Sequence, residues 1–268
     1  MDHDSHGEDG AEPENYFISM TDMMVGLVFL FVIMLMYFAL QYRQTTDELT
    51  SADRTRREIL EEVAATLKRQ GVPVEIDPDN GILRLPDSIL FDQGREELKP
   101  AGEDAVRKVA EAFWAILPCY AELPTTEIAA PLTCAAGNKH RIEAVFIEGH
   151  TDDKPMDGPQ GNWGLAANRA INTFKILELQ RPELADLCAA RTDGVCIPVL
   201  GVAGYADKRP VHPRPPCDSQ GAEAPQDCAT LLNDWRANNR RIDIRILMQA
   251  PLDPTVREPV EERLRGTN

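Results

Sequence analysis

Residues 23–40 have the sequence MMVGLVFLFVIMLMYFAL, eighteen consecutive positions without a charged side chain. At about 1.5 Å of rise per residue, a helix of this length spans roughly 27 Å, close to the thickness of the hydrocarbon core of a bilayer. A cleaved signal peptide fits poorly, because no Lys or Arg precedes the run. Aromatic side chains flank it on both sides, as in interfacial belts: Tyr16, Phe17, Tyr37, Phe38 and Tyr42. The stretch predicts one membrane-spanning helix, which we place at residues 16–42.

Asp22 lies at the N-terminal end of this stretch, within Ser19-Met20-Thr21-Asp22-Met23. One interpretation is a helix N-cap at the membrane interface, since Ser, Thr and Asp are all good capping residues. The other is a carboxylate that takes up and releases a proton or a sodium ion. An ionisable side chain inside a bilayer costs at least about 2.5–3.5 kcal/mol on insertion scales and usually has a function. Position alone leaves both interpretations open.

The composition narrows the classes of partner and site. A formal net charge of -16 argues against a nucleic-acid partner. The cysteines form no CxxC pair and have no histidine cluster beside them, which disfavours a zinc site, and we expect neither a metal nor a cofactor. Disulfides in an oxidising compartment are the expectation, although six reduced thiols would also fit and the connectivity stays open. The candidates are Cys119, Cys134, Cys188, Cys196, Cys217 and Cys228.

The sequence after the apolar run alternates helical and strand-like segments. Helical spacing of apolar residues predicts helices at 43–70, 100–117, 163–179 and 229–238. Strands are predicted at 74–76, 82–85, 142–147, 197–202 and 242–248, the first two joined by the turn signal Asp77-Pro78-Asp79-Asn80-Gly81. This alternation predicts an α+β or α/β sandwich that follows the N-terminal helix.

Five segments follow from these features. We divide the chain into an acidic segment 1–15, a transmembrane helix 16–42, a helical linker 43–72, a folded domain 73–250 and a tail 251–268. The linker helix could extend from the membrane and pair with a copy of itself. It could equally be the first helix of the folded domain, and the sequence does not separate these two arrangements.

Motifs in the folded segment resemble those of OmpA-like domains, and they occur in the same order. Residues 89–100, with Leu-Phe-Asp-Gln-Gly and Leu-Lys-Pro, resemble the opening motif, and residues 148–152, EGHTD, resemble the end of a family strand. Residues 162–170, NWGLAANRA, resemble the start of the following family helix. Residues 204–210 and residues 238–244, NNRRIDI, resemble the closing motif of the family. The resemblance implies a βαβαβ-type sandwich that binds peptidoglycan without a covalent bond.

The resemblance also assigns residues to the binding site. The family holds the diaminopimelate of the stem peptide at the positions of Asp152 and Arg169. This is chemically sensible, because a carboxylate suits the ligand's ammonium group and a guanidinium can bind its carboxylate in bidentate fashion. We expect Thr151 and Asn162 to shape the pocket, and either Arg240 or its neighbour Arg241 to face the ligand. The alternative is structural: Asp152 caps a loop and Arg169 forms an internal ion pair.

The N-terminal part resembles a second feature of the same family, the MotB class of stator subunits. Residues 17–24 resemble the start of the MotB helix, with Asp22 at the ion-carrying position. The resemblance implies two copies of this chain inside a ring of five copies of a multi-pass MotA-like partner, with ion flow driving rotation. The acidic N-terminus and compact linker resemble the non-flagellar ZorB class of the Zorya anti-phage defence system, whose partner is ZorA-like, more than flagellar MotB.

Orientation brings two signals into conflict. Basic residues appear only after the apolar run, so the positive-inside rule alone would place the C-terminal side in the cytoplasm. The cysteines and the wall-binding resemblance require the opposite. We expect a single-pass protein of the bacterial inner membrane with a cytoplasmic N-terminus and a periplasmic domain.

Two further alternatives remain open at this stage. The protein could be a passive anchor, tethered to the membrane and bound to the wall without an ion pathway. An enzyme fits least, because no nucleophile, base and oxyanion site can be assembled from the sequence.

Overall fold

The computed structural model describes residues 14–123, 134, 140–189, 195–217 and 227–250, without the side chains of 14–19. The acidic segment before Glu14 and the tail 251–268 lie outside the described residues. The chain divides into two compact units between Thr50 and Ser51. The elements are α1 Glu14–Arg69, β1 Glu75–Asp77, β2 Ile82–Pro86, α2 Asp87–Leu90, α3 Pro100–Ile116, β3 Ile142–His150, α4 Gly161–Gln180, β4 Cys188–Ala189, β5 Ile197–Pro198, β6 Leu200–Gly204, α5 Cys228–Asn239 and β7 Arg241–Met248.

The first unit holds the N-terminal part of α1. Among the described residues, α1 is the one helix that is long and apolar enough to cross a membrane, by length and composition. The apolar side chains of residues 23–40 are exposed in the isolated chain. Asp22 lies eight positions after the first helical residue, Glu14. The N-cap interpretation of Asp22 is therefore wrong, because a cap lies at the boundary of a helix and not in its third turn.

The C-terminal part of α1 belongs to the second unit. Its apolar residues recur at helical spacing and are buried in the core of that unit: Ile59, Leu60, Val63, Ala64 and Leu67. The sequence left two arrangements open for this segment. In the structure it is the first helix of the folded domain. The folded domain consequently begins at Ser51 and not at residue 73.

A five-stranded sheet with the order β1-β2-β7-β3-β6 forms the centre of the second unit. Only β3 and β6 pair in parallel, and the other neighbours are antiparallel. On β7, Ile242, Ile244 and Ile246 belong to the core that α1, α3 and α4 share, so the alternate residues of β7 lie on the opposite face. The α+β class and the N-terminal apolar helix are both confirmed.

Two strands differ from their predicted extent by more than one residue. The strand predicted at 142–147 continues to His150, because Glu148, Gly149 and His150 pair with β7. The strand predicted at 197–202 is divided at Val199, whose N–H donates to the Leu187 carbonyl and whose carbonyl accepts from Val145. These two hydrogen bonds separate β5, which pairs with β4, from β6, which pairs with β3.

The close approach of α4 to the sheet requires glycine on the facing strands, and Gly149 is the tightest case. A Cβ atom on Gly149 of β3 would lie 1.9 Å from the carbonyl oxygen of Ala166 on α4, well inside van der Waals contact. Only glycine therefore lets the helix approach the strand this closely. The glycine of the EGHTD motif thus limits the distance between β3, which Asp152 follows, and the helix that carries Arg169.

Each cysteine is paired with its nearest neighbour in the sequence. Cys119 bonds to Cys134, Cys188 to Cys196 and Cys217 to Cys228. The connectivity that the sequence left open is thus local. The third disulfide ties the start of α5 to the loop segment that precedes it.

Candidate functional site

Four charged side chains meet beside the ends of β2, β3 and α5 and the middle of α4. Arg169 Nη1 lies 2.9 Å from Asp87 Oδ1, and Arg240 Nη1 lies 2.7 Å from Asp152 Oδ2. Arg240 Nε also lies 3.5 Å from Asp87 Oδ2 and joins the two pairs. We call Asp87, Asp152, Arg169 and Arg240 the charge cluster. With two carboxylates and two guanidinium groups, it is neutral without a ligand.

The sheet brings the ends of this cluster together. Asp87 follows the last residue of β2 and Arg240 precedes the first residue of β7, and these two strands are neighbours. The Asp87 N–H donates to the Arg240 carbonyl at 3.1 Å, which fixes the two backbones against each other. Asp87 was not among the predicted site residues. No local motif marks it, since its role follows from strand pairing over more than 150 residues.

Arg169 is the most deeply buried member of the cluster. Its side chain is 1% exposed and its guanidinium lies 4.8 Å from the centre of the Phe91 ring. Nε donates to the Arg95 carbonyl at 2.8 Å, and Nη2 donates to the Asp92 carbonyl at 3.4 Å. The internal ion pair that the sequence left as an alternative is thus present. In this structure Arg169 offers no surface to a ligand and instead holds Asp87 and the opening-motif loop.

Asp152 has one oxygen in a loop turn and the other in the cluster. Oδ1 accepts from the Lys154 N–H at 3.1 Å, and Oδ2 accepts from Arg240. Asn162 Nδ2 donates to the Asp152 and Lys154 carbonyls, so this side chain shapes the loop. The Thr151 N–H donates to the Ala206 carbonyl, while its buried hydroxyl has no hydrogen-bond partner among the described residues.

The structure separates the roles of two neighbouring arginines. Arg240 is 27% exposed and belongs to the charge cluster. Arg241 is 5% exposed, and its Nε donates to Asp243 on the other face of the sheet at 2.9 Å. One of the two faces the predicted ligand site and the other folds back on the sheet, because successive side chains of a strand point to opposite faces.

Burial and mutual attraction act against each other inside the cluster. Burial raises the pKa of the Asp87 carboxyl, although the positive charges of Arg169 and Arg240 act to lower it. Burial likewise lowers the pKa of Arg169, opposed by the charge of Asp87. The charged forms are therefore maintained by pairing within the cluster, and the loss of one partner would leave a costly buried charge.

Asp153 is a second residue that the sequence prediction did not include. Its carboxylate lies 2.6 Å from Arg236 Nε on α5 and 3.1 Å from Arg214 Nε. The hydrogen bond from Arg236 lowers the pKa of the Asp153 carboxyl. The residue next to Asp152 thus holds α5, and with it Arg240, close to the end of β3.

Two cavities are lined by a member of the cluster or by a hydrogen-bond partner of one. One, of about 330 Å³, lies between residues 94–97 and residues 156–161 and is lined by Arg95, whose carbonyl accepts from Arg169. The other, of about 540 Å³, is lined by both Arg240 and Arg241. The second cavity therefore gives access to the partly exposed guanidinium of Arg240.

A second set of charges lies on the opposite face of the sheet. Glu148, His150 and Asp243 are buried and place possible ligand atoms within 4.8 Å of one another. Asp243 is already paired with Arg84 and Arg241, and Glu148 with Arg245. The carboxylates that a metal ion would need are thus neutralised by arginine.

Asp22 lies in the first unit, at the start of the apolar segment of α1. Its side chain is exposed in the isolated chain, as are the neighbouring Met20 and Met23. The structure thus places one carboxylate on the surface of a helix that is otherwise apolar from Met23 to Leu40.

No protein-family model matches the chain, and no curated protein matches it. Among solved structures, a MotB-like protein from Desulfovibrio vulgaris is similar, with 17% identity, a TM-score of 0.44 and coverage of 77% of this chain and 99% of that one. The cell wall anchor of the T6SS from Pseudomonas aeruginosa has 17% identity, a TM-score of 0.41 and coverage of 72% and 99%. The periplasmic domain of Helicobacter pylori MotB (residues 78-256) has 16% identity, a TM-score of 0.38 and coverage of 70% and 87%.

Proposed function

We propose that this chain is a peptidoglycan-anchored stator subunit of an ion-driven motor in the bacterial inner membrane. The observation that carries the wall-binding half is the charge cluster. Three of its four members, Asp152, Arg169 and Arg240, belong to the OmpA-like motifs, and Arg240 is partly exposed. The observation that supports the motor half is Asp22 within an apolar helix. The proposed role is binding and force transmission, not catalysis.

The neutral cluster suits a ligand that carries both charges. Diaminopimelate presents an ammonium group and a carboxylate. Its ammonium would replace Arg240 on Asp152 Oδ2, and its carboxylate would pair with the released Arg240. This exchange keeps every charge paired and adds no net charge to the site, so the desolvation cost of binding is limited. Arg169 keeps Asp87 in place and acts on the ligand only through it.

Retention on purified sacculi tests this site. The double variant Asp152→Asn, Arg240→Gln removes one charge of each sign, so the remaining Asp87–Arg169 pair stays balanced and the fold is kept. Each lost charged hydrogen bond is worth about 1.5–3 kcal/mol, so we expect retention to fall at least about tenfold. Free diaminopimelate should compete with sacculi for binding to the wild-type protein.

Lys175→Gln is the matched control, because Lys175 is exposed on α4 and outside the cluster. The control should bind sacculi like the wild type. Equal retention of the double variant and the wild type would contradict the proposed site.

The ion-carrying role of Asp22 is tested by Asp22→Asn. A charge that crosses 100 mV gains about 2.3 kcal/mol, and an amide cannot accept and release the proton or sodium ion that would carry it. We expect loss of function with normal membrane insertion and normal assembly, as two copies, with five copies of a MotA-like or ZorA-like partner. The control is Asp47→Asn, an exposed carboxylate on the same helix beyond the apolar run. A fully active Asp22→Asn protein would contradict the ion-carrying role and would favour the passive anchor.

The finer assignment is the ZorB class of anti-phage defence. It is supported by the acidic N-terminus and by the short connection, since ten residues, 41–50, separate the apolar run from the folded domain. Deletion of the gene should then abolish protection against phage and leave swimming intact. Loss of swimming with unchanged phage resistance would instead indicate a flagellar MotB role.

A further inference from the structure

A small basic cavity lies on the sheet face that is opposite to the helices. It has a volume of about 230 Å³ and is enclosed by β2, β3, β7, the β1–β2 turn and residues 209–211. The positive side chains that line it are Arg84, Arg209, Arg241 and Arg245, and the negative ones are Asp77 and Asp243. Glu148 behind Arg245 adds one further carboxylate. Four guanidinium groups therefore face three carboxylates, in a chain whose net charge is -16.

Two of the four arginines are fully engaged within the protein. Arg245 donates to both oxygens of Glu148, at 2.8 and 2.9 Å, and to the Asn80 carbonyl. Arg241 donates to Asp243 and to the carbonyls of Asn239 and Arg209. These two side chains form the wall of the cavity and have little capacity left for a ligand.

The other two arginines keep donors available. Arg84 uses Nε for Asp243, and its two terminal nitrogens have no hydrogen-bond partner in the part of the chain that the structure describes. The Arg209 guanidinium packs on the Tyr205 ring, 3.6 Å from its centre, and likewise has no hydrogen bond to a described residue. Both side chains line the same cavity.

His150 supplies the third donor. Its side chain is 1% exposed, it lines the cavity, and neither ring nitrogen has a hydrogen-bond partner among the described residues. Its Nε2 lies 3.4 Å from Asp243 Oδ2 without the alignment of a hydrogen bond, and 3.9 Å from Glu148 Oε2, beyond hydrogen-bond distance. A neutral imidazole always carries one N–H, and a buried N–H without an acceptor is costly. The ring stacks on Tyr205, the residue that also supports Arg209.

We propose that this cavity is an anion-binding site, in which Arg84, Arg209 and His150 donate to one carboxylate or phosphate group. The anion would supply the acceptor that His150 lacks and would balance the excess guanidinium charge. The site lies apart from the Asp87–Asp152 cluster, and it does not depend on the function proposed above. The same chemistry has two possible sources: a free phosphate ion, or a carboxylate of the cell wall.

Isothermal titration of the full-length protein in detergent tests the site, with inorganic phosphate and acetate as probes and chloride at matched ionic strength as the reference. We expect saturable binding of at least one probe by the wild type. Arg209→Gln should weaken it about tenfold, because a charged donor is lost from an exposed side chain that the fold does not require. Lys208→Gln removes the same charge from the neighbouring residue outside the cavity, and it should bind like the wild type.

The proposal is overturned if neither probe binds saturably, or if Arg209→Gln and Lys208→Gln bind it equally well. Sacculus retention distinguishes the two sources. If the Arg209→Gln protein loses both probe binding and sacculus retention, the natural anion is a carboxylate of the cell wall. If it loses probe binding alone, the natural anion is a free ion. If the charge-cluster variants do not affect sacculus retention, the proposed wall-binding site fails. The anion titration does not depend on that result, so each proposal can fail without the other.

Discussion

Glu148 is a buried carboxylate that is paired with the guanidinium of Arg245. Burial by itself would raise its pKa, but polar neighbours lower the pKa to about 2. The neighbours that lower the pKa are His150, whose Nε2 lies 3.9 Å away, and Arg245, which donates two hydrogen bonds at 2.8 and 2.9 Å. The pair joins β3 to β7 on the sheet face that carries the basic cavity.

Arg245→Ala should therefore be strongly destabilising. Removing one partner of a buried ion pair leaves an uncompensated charge and typically costs 3–5 kcal/mol, so we expect the free energy of unfolding to fall by about 3 kcal/mol. Urea unfolding monitored by tryptophan fluorescence measures this change. Arg107→Ala breaks a half-exposed i,i+4 pair with Glu103 and should cost less than about 1 kcal/mol. Equal losses in the two variants would show that the Glu148–Arg245 pair is not buried as described.

At the scale of single residues, the sequence located part of the site. Asp152 and Arg240 could be proposed because local motifs mark them. Asp87 and Asp153 could not, since their partners Arg169 and Arg236 lie about 80 residues further along the chain. The burial of Arg169 could likewise be seen only in the structure, because nothing in the NWGLAANRA motif indicates that its arginine faces inward.

Among the elements, α1 combines two environments in one continuous helix. Residues 23–40 are exposed apolar positions, whereas the part from Ser51 packs into the core of the second unit. Periodicity predicted a helix over 43–70, but it could not say what the apolar stripe packs against. Only the structure shows that this stripe faces the domain core and not a second copy.

Leu67→Ala tests the core role of this segment. Leu67 is fully buried, and truncation of a buried leucine to alanine typically costs 2–5 kcal/mol, so we expect a loss in that range. Leu49→Ala makes the same substitution on the same helix at a residue that is 49% exposed. It should change the free energy of urea unfolding by less than about 0.5 kcal/mol. A Leu67→Ala protein as stable as the Leu49→Ala control would place the start of the domain after α1.

For the molecule as a whole, pH should change stability through the paired carboxylates. Glu148 has a folded pKa of about 2 and an ordinary value of 4.5, so the folded state releases this proton more readily than the unfolded state. Its contribution is fully present above pH 4.5 and is lost as the pH falls towards 2. Glu111 and Asp153, whose pKa values are also lowered, act in the same direction. Asp87, whose pKa is raised, acts in the opposite direction.

Burial lowers the pKa of His150 below its ordinary 6.5, so the unfolded state takes up this proton more readily as the pH falls. We therefore expect the free energy of unfolding to decline modestly from pH 7 to 5 and to fall steeply below pH 4.5. Glu148 alone should account for about 3 kcal/mol, from roughly 2.5 pKa units at 1.36 kcal/mol each. Urea titrations at a series of pH values measure the profile. The double variant Glu148→Gln, Arg245→Met should show a shallower acid limb. An unchanged acid limb in that variant would assign the transition to other carboxylates.

The amino-acid sequence by itself determined the apolar helix, the alternation of helices and strands, the α+β class and the cysteine-rich loops. These follow from local properties: uninterrupted hydrophobicity, the 3.6-residue and two-residue periods, and turn residues. Only the tertiary structure decided where the domain begins, that Arg169 is buried against Asp87, and that Arg240 and Arg241 serve opposite faces of the sheet. Those features arise from pairing between distant strands and from burial, and neither property is encoded in a stretch of neighbouring residues.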